Sequence, residues 1–255
     1  MIRIKRHSFT KGWVWIQEAW LILKKDLLLW AMVCMGAFLT VFFCNVIPIL
    51  GALLGALCKF VLDGSIMLMV KEASEEDKKP DLSRLFCAYS LRGKPLIYAG
   101  LAEWVLNKAA TAPVAVFFVT KLSSVFSKIL LIAKGDKSVA QELIFDLTSN
   151  FSEYFTFGMS AMLFSMFLFV SVWTSFAFAA YLIAVKKQDG IWEVMKASFS
   201  AFSINAMSLT VMCLLWVVLV FLSFITLGLG AVVAIPLIQI SMYTSAKDIF
   251  RVSDR

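Results

Sequence analysis

An all-α fold, a polytopic membrane protein with six transmembrane helices, is what this chain predicts, and three observations carry the prediction. Apolar residues fill 61% of its 255 positions, against about 45–50% in soluble domains. Six long apolar stretches divide it, at 27–47, 48–70, 95–120, 157–185, 206–226 and 228–246, most of them near the ~20 residues that cross ~30 Å of hydrocarbon. Of the 24 lysines and arginines, 18 fall in segments on one side of those stretches and four on the other. A β-barrel would alternate apolar and polar residues over ~10-residue segments. Residues 164–170 are almost unbroken apolar sequence, so helices are expected.

The basic residues set the topology. Arg3, Lys5, Arg6, Lys11, Lys24 and Lys25 precede the first stretch, and Lys71, Lys78, Lys79, Arg84, Arg92 and Lys94 separate the second from the third. Lys186, Lys187 and Lys196 follow the fourth, and Lys247, Arg251 and Arg255 follow the last. Lys121, Lys128, Lys134 and Lys137 stand on the other side, balanced by Asp136, Glu142, Asp146 and Glu153. The positive-inside rule then places both termini in the cytoplasm of a multi-pass bacterial inner-membrane protein, with an even number of crossings. Cations that flank spans meet anionic headgroups at ~1 kcal/mol each, so the net charge of +7 is read as lipid contact and not as a nucleic-acid surface. The N-terminus is no signal peptide on this reading, because its basic part runs to Lys25 and no small-residue cleavage site follows the apolar run.

Element by element, the chain reads as one membrane domain over 1–255 with an internal repeat. Trp13, Ile16, Trp20 and Leu23 are spaced 3, 4, 3, and Trp192, Met195, Phe199 and Phe202 repeat that spacing 179 residues later. Each set makes an apolar helical stripe. Each follows a glycine, Gly12 or Gly190, and leads into an apolar hairpin turned at Pro48-Ile49-Leu50-Gly51 or Thr226-Leu227-Gly228. Repeat one covers 12–72 and repeat two 190–250; two spans lie between them, so both run the same way through the membrane, unlike inverted transporter repeats. A middle hairpin over 81–187 carries an exterior amphipathic segment at 121–156, broken at Gly135-Asp136. Its fourth span, 29 residues, exceeds the bilayer and is expected to tilt, kink or emerge. The cytoplasmic surface helices are interfacial, with Trp13, Trp15, Trp20 and Trp192 as anchors at headgroup level, where an indole buries its ring and keeps its N–H wet.

Polar groups inside the apolar stretches mark the one candidate site. Gly51, Gly55, Lys59 and Asp63 recur every four residues in the second stretch, so two small residues and two charges share a helix face. Gly100, Glu103 and Asn107 do the same in the third stretch, and Gln239 lies midway along the sixth. At ~1.5 Å per residue these positions reach comparable depths, so Lys59, Asp63, Glu103, Asn107 and Gln239 are expected to form one intramembrane cluster. A charge at mid-helix costs ~2.5–3.5 kcal/mol on insertion scales and persists when paired, hydrated or useful. One lysine between two carboxylates leaves an excess negative charge, so either one carboxyl, with Glu103 the first choice, is protonated or a cation visits. The cluster is either a structural clasp or the lining of a ligand or proton site.

No catalytic residues are assigned. His7 is the only histidine and sits in the basic arm, which leaves no His-based triad or His-ligated metal in the membrane. No phosphate-cradling glycine loop, nucleophile elbow or His-Glu-x-x-His occurs. The five cysteines are scattered without a Cys-x-x-Cys pair, so neither a metal centre nor a disulfide framework is expected. The chain is taken as non-enzymatic and without a cofactor.

Four motifs carry a family resemblance: Gly12-Trp13-Val14-Trp15-Ile16, Ile47-Pro48-Ile49-Leu50-Gly51, Asp81-Leu82-Ser83-Arg84-Leu85-Phe86 and Ala246-Lys247-Asp248-Ile249-Phe250. On these the chain resembles a YciC-like family of bacterial multi-pass inner-membrane proteins, itself similar to the membrane domain of some glycerophosphoryl diester phosphodiesterases. The resemblance implies a six-helix membrane fold and an inner-membrane address, and it brings no catalytic residues. Lys59 and Asp63 depart from the small, apolar pattern of that hairpin. The expected function is a role in envelope or lipid organisation, with membrane lipids, anionic headgroups on the cytoplasmic side, a protein partner or a second copy as partners. The alternative is a transporter or channel for a small or lipidic solute lined by Lys59, Asp63 and Glu103.

Overall fold

The computed structural model describes residues 3–48, 50–134 and 138–251, apart from the side chains of Ser124 and Leu147. The expected break at Gly135-Asp136 lies outside the described residues, as do Ile49 of the first hairpin turn, Lys137 and Arg255. The described chain is all-helical, with no strand. In order it forms α1 (Lys11–Leu23), α2 (Leu27–Val46), α3 (Gly51–Glu75), a 3₁₀ turn (Leu82–Arg84), α4 (Cys87–Phe117), a π-helical segment (Phe118–Leu122) and α5 (Ser123–Ala133). There follow α6 (Ser138–Ser149), α7 (Phe151–Phe176), α8 (Ala179–Ala184), α9 (Ile191–Ile204), α10 (Ala206–Ile225) and α11 (Ala231–Ile249).

Five helical stretches are long and apolar enough to cross a membrane: Leu27–Val46, Gly51–Glu75, Leu82–Leu122, Phe151–Ala184 and Ala206–Ile225. The sixth expected stretch is a helix, α11, but it is not one of these five. Its second half carries Ser241, Thr244, Ser245, Lys247 and Asp248, which dilute the apolar run of its first half.

Two of the long stretches are broken, each for an identifiable reason. In α4 the helical path is interrupted at Arg92, with φ −145° and ψ 33°. Pro95 lies three residues on; it has no N–H to give Leu91 and its ring crowds that carbonyl, so the turn before it opens. The expected long fourth span breaks at Ala177-Phe178, between α7 and α8. There the Ser198 hydroxyl of α9 donates to the Thr174 carbonyl at 2.9 Å and accepts the Phe178 N–H at 3.1 Å. It stands in for the backbone bond that residue 178 would make to residue 174, and so opens the helix without orphaning either group.

The chain falls into two compact units, Met1–Trp104 with Thr174–Arg255, and Val105–Trp173. In the first, α1 packs on α10 and α11, α2 on α3 and α11, and α3 on α8. Its fully buried large side chains include Trp15, Trp30, Phe60, Phe178, Tyr243 and Phe250. Tyr181, Phe178, Phe250 and Tyr243 form an aromatic group with ring centroids 5.6–6.2 Å apart, each such pair adding about 0.5–1.5 kcal/mol to the area it buries. Gly12 lets α1 lie directly on α10: a Cβ there would stand 2.2 Å from the Ser208 carbonyl oxygen and 2.9 Å from the Met212 nitrogen.

In the second unit the C-terminal part of α4 meets α7 where the Phe117 and Phe157 rings lie 5.8 Å apart, and Gly158 makes room for the Phe117 ring. The segment between them folds as α5 packed on α6, joined by Lys128, whose ammonium lies 2.9 Å from Glu142 and 3.4 Å from Asp146.

Candidate functional site

Two polar constellations occur in the first unit, one in the middle of its long helices and one at their end. The middle one is built on close helix approach. Gly100 of α4 faces α3 so tightly that a Cβ would lie 2.8 Å from the Ala56 carbonyl oxygen and 3.0 Å from the Leu57 Cα. One turn along, Glu103 therefore reaches Lys59, whose Nζ donates to both carboxylate oxygens, at 2.9 and 3.2 Å. Glu103 is 10% exposed and Lys59 43% exposed by side chain. The Lys59 ammonium also stands 5.1 Å from the Phe60 ring centroid.

Asp63 makes a different contact. Its carboxylate accepts from Gln239 Nε2 of α11 at 3.3 Å. Lys59 and Asp63, one turn apart on the same helix, each take a partner from another helix. A spacing of four overshoots a full turn by about 40°, so a stripe of four such positions winds through about 120°. Gly51 and Gly55 accordingly face Cys44 and Asn45 of α2, Lys59 faces α4, and Asp63 faces α11. The five-residue cluster thus resolves into two pairs; Asn107, half-buried, lies a turn beyond Glu103 in the part of α4 that belongs to the second unit.

A pocket of about 180 Å³ lies beside the pairs. It is lined by Lys59, Asp63 and Gln239 on its polar side and by Cys34, Phe38, Val41, Leu62 and Ile235 among its apolar walls. Cys44 and Cys58 come together nearby, with sulfurs 3.9 Å apart, a proximity that their separation in sequence concealed. No group of three or more metal-ligating side chains occurs among the described residues.

The sequence names Trp15 and Asp248 but does not bring the members of the second constellation together. Asn205, buried between α9 and α10, holds the N-terminal arm at two points: its Oδ1 accepts the His7 N–H at 2.8 Å and its Nδ2 donates to the Lys5 carbonyl at 3.0 Å. The Lys5 N–H bonds to the Ile249 carbonyl at 2.9 Å, and the Ser208 hydroxyl donates to the Ser8 carbonyl at 2.8 Å. Asp248 organises the rest. Its carboxylate accepts the Trp15 indole N–H at 3.1 Å, pairs with Lys11 at 3.3 Å and lies 3.7 Å from His7 Nδ1. Thr244 donates to the Trp15 carbonyl at 2.9 Å.

Burial lowers the His7 imidazole below its ordinary value; Asp248 pulls it back up, and Lys5 and Lys11 lower it further. Burial raises the Asp248 carboxyl, but the Trp15 N–H and the charges of His7 and Lys11 outweigh it and hold the group below the usual carboxylate range. A pocket of about 350 Å³ lies at this end, with Lys11, Lys247, Asp248 and Glu18 in its wall. Its lysines are already matched, Lys11 by Asp248 and Lys247 by Glu75 at 3.1 Å.

The four anchor tryptophans separate. Trp13, Trp20 and Trp192 are 52%, 43% and 62% exposed, whereas Trp15 is fully buried. Trp15 is therefore a core residue and not an interfacial anchor, because its indole packs edge-on to His7 and its N–H is taken by Asp248. The buried face of α1 is Gly12, Trp15, Ile16, Ala19 and Leu23, rotated from the expected stripe.

No protein-family model matches the chain, and neither does any curated protein or solved structure.

Proposed function

We propose that this chain is a non-enzymatic multi-pass protein of the bacterial inner membrane, with α11 as a sixth crossing and both termini in the cytoplasm, and that it takes part in envelope or lipid organisation. The YciC-like resemblance belongs to the same proposal. One observation carries it: α1 and α9 turn matching positions outward beside clustered lysines. Trp13 and Trp192 are exposed, as are Trp20 and Phe199, while Trp15 and Val194, Ala19 and Ser198 are buried, each pair 179 residues apart. Such coincidence supports the two-copy reading of 12–72 and 190–250, and it leaves aromatic rings free for headgroup level or for a partner helix. Lys196 lies 5.0 Å from the Trp192 ring centroid, an arrangement suited to an anionic surface.

Under this reading the Lys59–Glu103 and Asp63–Gln239 pairs hold α3 to α4 and to α11. The test is native mass spectrometry of the protein purified with its lipid. The triple variant Trp13→Ala, Trp20→Ala, Trp192→Ala is expected to lose bound anionic phospholipid while remaining folded; undiminished lipid retention in that variant contradicts the proposal. The transporter or channel reading is favoured by one feature, the half-exposed Lys59 beside a 180 Å³ pocket. Solute flux into proteoliposomes that disappears in Lys59→Met would select it.

A further inference from the structure

We infer that the pocket beside Asp63 is a binding site for a small alkylammonium ion. The inference rests on the membrane-crossing reading of α3, because only in a low-dielectric medium does an unmatched carboxylate demand a counter-charge. Two carboxylates and one lysine meet at this level. Lys59 directs its hydrogen bonds to both oxygens of Glu103, so that pair is closed. Asp63 is left with an amide as its hydrogen-bonding partner, a neutral donor at 3.3 Å. The group therefore carries one more negative charge than positive, and Asp63 is where it stands. The sequence pointed instead to Glu103 as the carboxyl in need of neutralisation.

The walls select the kind of cation. An ion that exchanges its water for protein oxygens, as calcium does, needs about six of them, whereas the pocket offers the Asp63 carboxylate and the Gln239 amide, beside the Lys59 ammonium held by Glu103, among apolar surfaces from Phe38, Val41, Leu62 and Ile235. An alkylammonium ion has the complementary form. Its N–H groups donate to Asp63 and to the Gln239 carbonyl oxygen, and its carbon chain lies against the apolar wall. A volume of about 180 Å³ suits a ligand of a few heavy atoms, since an apolar protein cavity of ~150 Å³ accepts benzene.

The experiment is thermal unfolding of the whole protein in lipid nanodiscs at pH 8, titrated with propylammonium chloride against sodium chloride at equal ionic strength, with tetrabutylammonium as the oversized control. Wild type is expected to gain about 4 °C at a tenfold excess of propylammonium over its dissociation constant, to gain nothing from tetrabutylammonium, and to lose the gain in Asp63→Asn. Ala37→Leu, which narrows the pocket and keeps the carboxylate, is expected to lose it too, so the test survives if Asp63→Asn does not fold. Equal stabilisation by sodium, or a gain that persists in Ala37→Leu, overturns the inference, and so does a flat titration, which leaves a proton as the neutralising cation. Alkaline carbonate extraction of membranes separates the two layers of the argument. Release of the chain overturns the crossing itself, whereas retention with a flat titration overturns the ammonium site alone.

Discussion

The two polar constellations of the first unit differ in how they are built. At mid-helix, four side chains form two pairs, each joining two helices through side-chain atoms alone. At the helix ends, Asn205, Ser208 and Thr244 bind backbone groups of the arm and of α1, and Asp248 gathers three side chains. The first arrangement resists separation of helices but tolerates change on either side; the second fixes a chain path, because each backbone group lost leaves a buried polar atom unsatisfied. Stability is therefore expected to depend more on the end constellation, which binds backbone, than on the side-chain pairs of the middle one.

That contrast breaks or sharpens by mutation. The largest effect is expected at Asn205→Ala, which removes an acceptor and a donor together and strands the His7 N–H and Lys5 carbonyl; a loss of about 3 kcal/mol, read from chemical unfolding in detergent, is the expected outcome. Gly12→Ala comes next, at about 2 kcal/mol, because the new methyl meets the backbone of α10 and not a movable side chain. Lys59→Met is expected to cost about 2 kcal/mol by leaving Glu103 buried and unpaired, and Lys59→Met with Glu103→Gln to recover most of it. A double variant no better than the single one would show that the pair is not what holds α3 to α4.

A smaller effect is expected from pH. His7 is lowered on folding, so the folded state disfavours the charged imidazole; stability is full above 6.5, the ordinary His value, and falls as pH drops through the folded value. Asp248 is lowered from 3.8, so its contribution is full above that and falls as pH drops further. Both act in the same direction in separate windows. His7→Gln is expected to flatten the upper window and leave the lower, as followed by tryptophan fluorescence across the acid range. Last, oxidation of the purified protein with diamide is expected to join Cys44 to Cys58, without a change in helix content, and to leave the other three cysteines as thiols that alkylate once the chain is unfolded. Crosslinking of a different pair would place α2 and α3 in another register.

Legibility in the sequence follows the same divide. Lys59, Asp63, Glu103 and Gln239 stand out because a polar residue in an apolar run is improbable without a partner. Their pairing is not legible, since a four-residue spacing reads as a straight stripe although it winds around α3. Asn205 and Ser208 lie at helix ends where polar residues are ordinary, and Asp248 is marked by the Ala246–Phe250 motif alone, which assigns it no partner. The break at Arg92 had a signal in Pro95; the break at Ala177-Phe178 had none locally, because its cause is Ser198, some 20 residues away. Trp15 reads like Trp13 and Trp20 in the sequence for a physical reason as well. Lipid and protein core are both apolar, so an apolar stripe alone does not say which of them it faces.

The central claim is that the apolar hairpins are threaded through a bilayer with the basic segments inside. Its most direct measurement is labelling of intact cells by a membrane-impermeant maleimide, using single cysteines in a chain whose five native cysteines are replaced by serine. Cysteine at Leu227, in the turn between α10 and α11, is expected to react, and cysteine at Asp77, after α3, to react only once the cells are opened. Labelling of position 77 in intact cells with position 227 protected would reverse the topology, and equal labelling of both would contradict it outright.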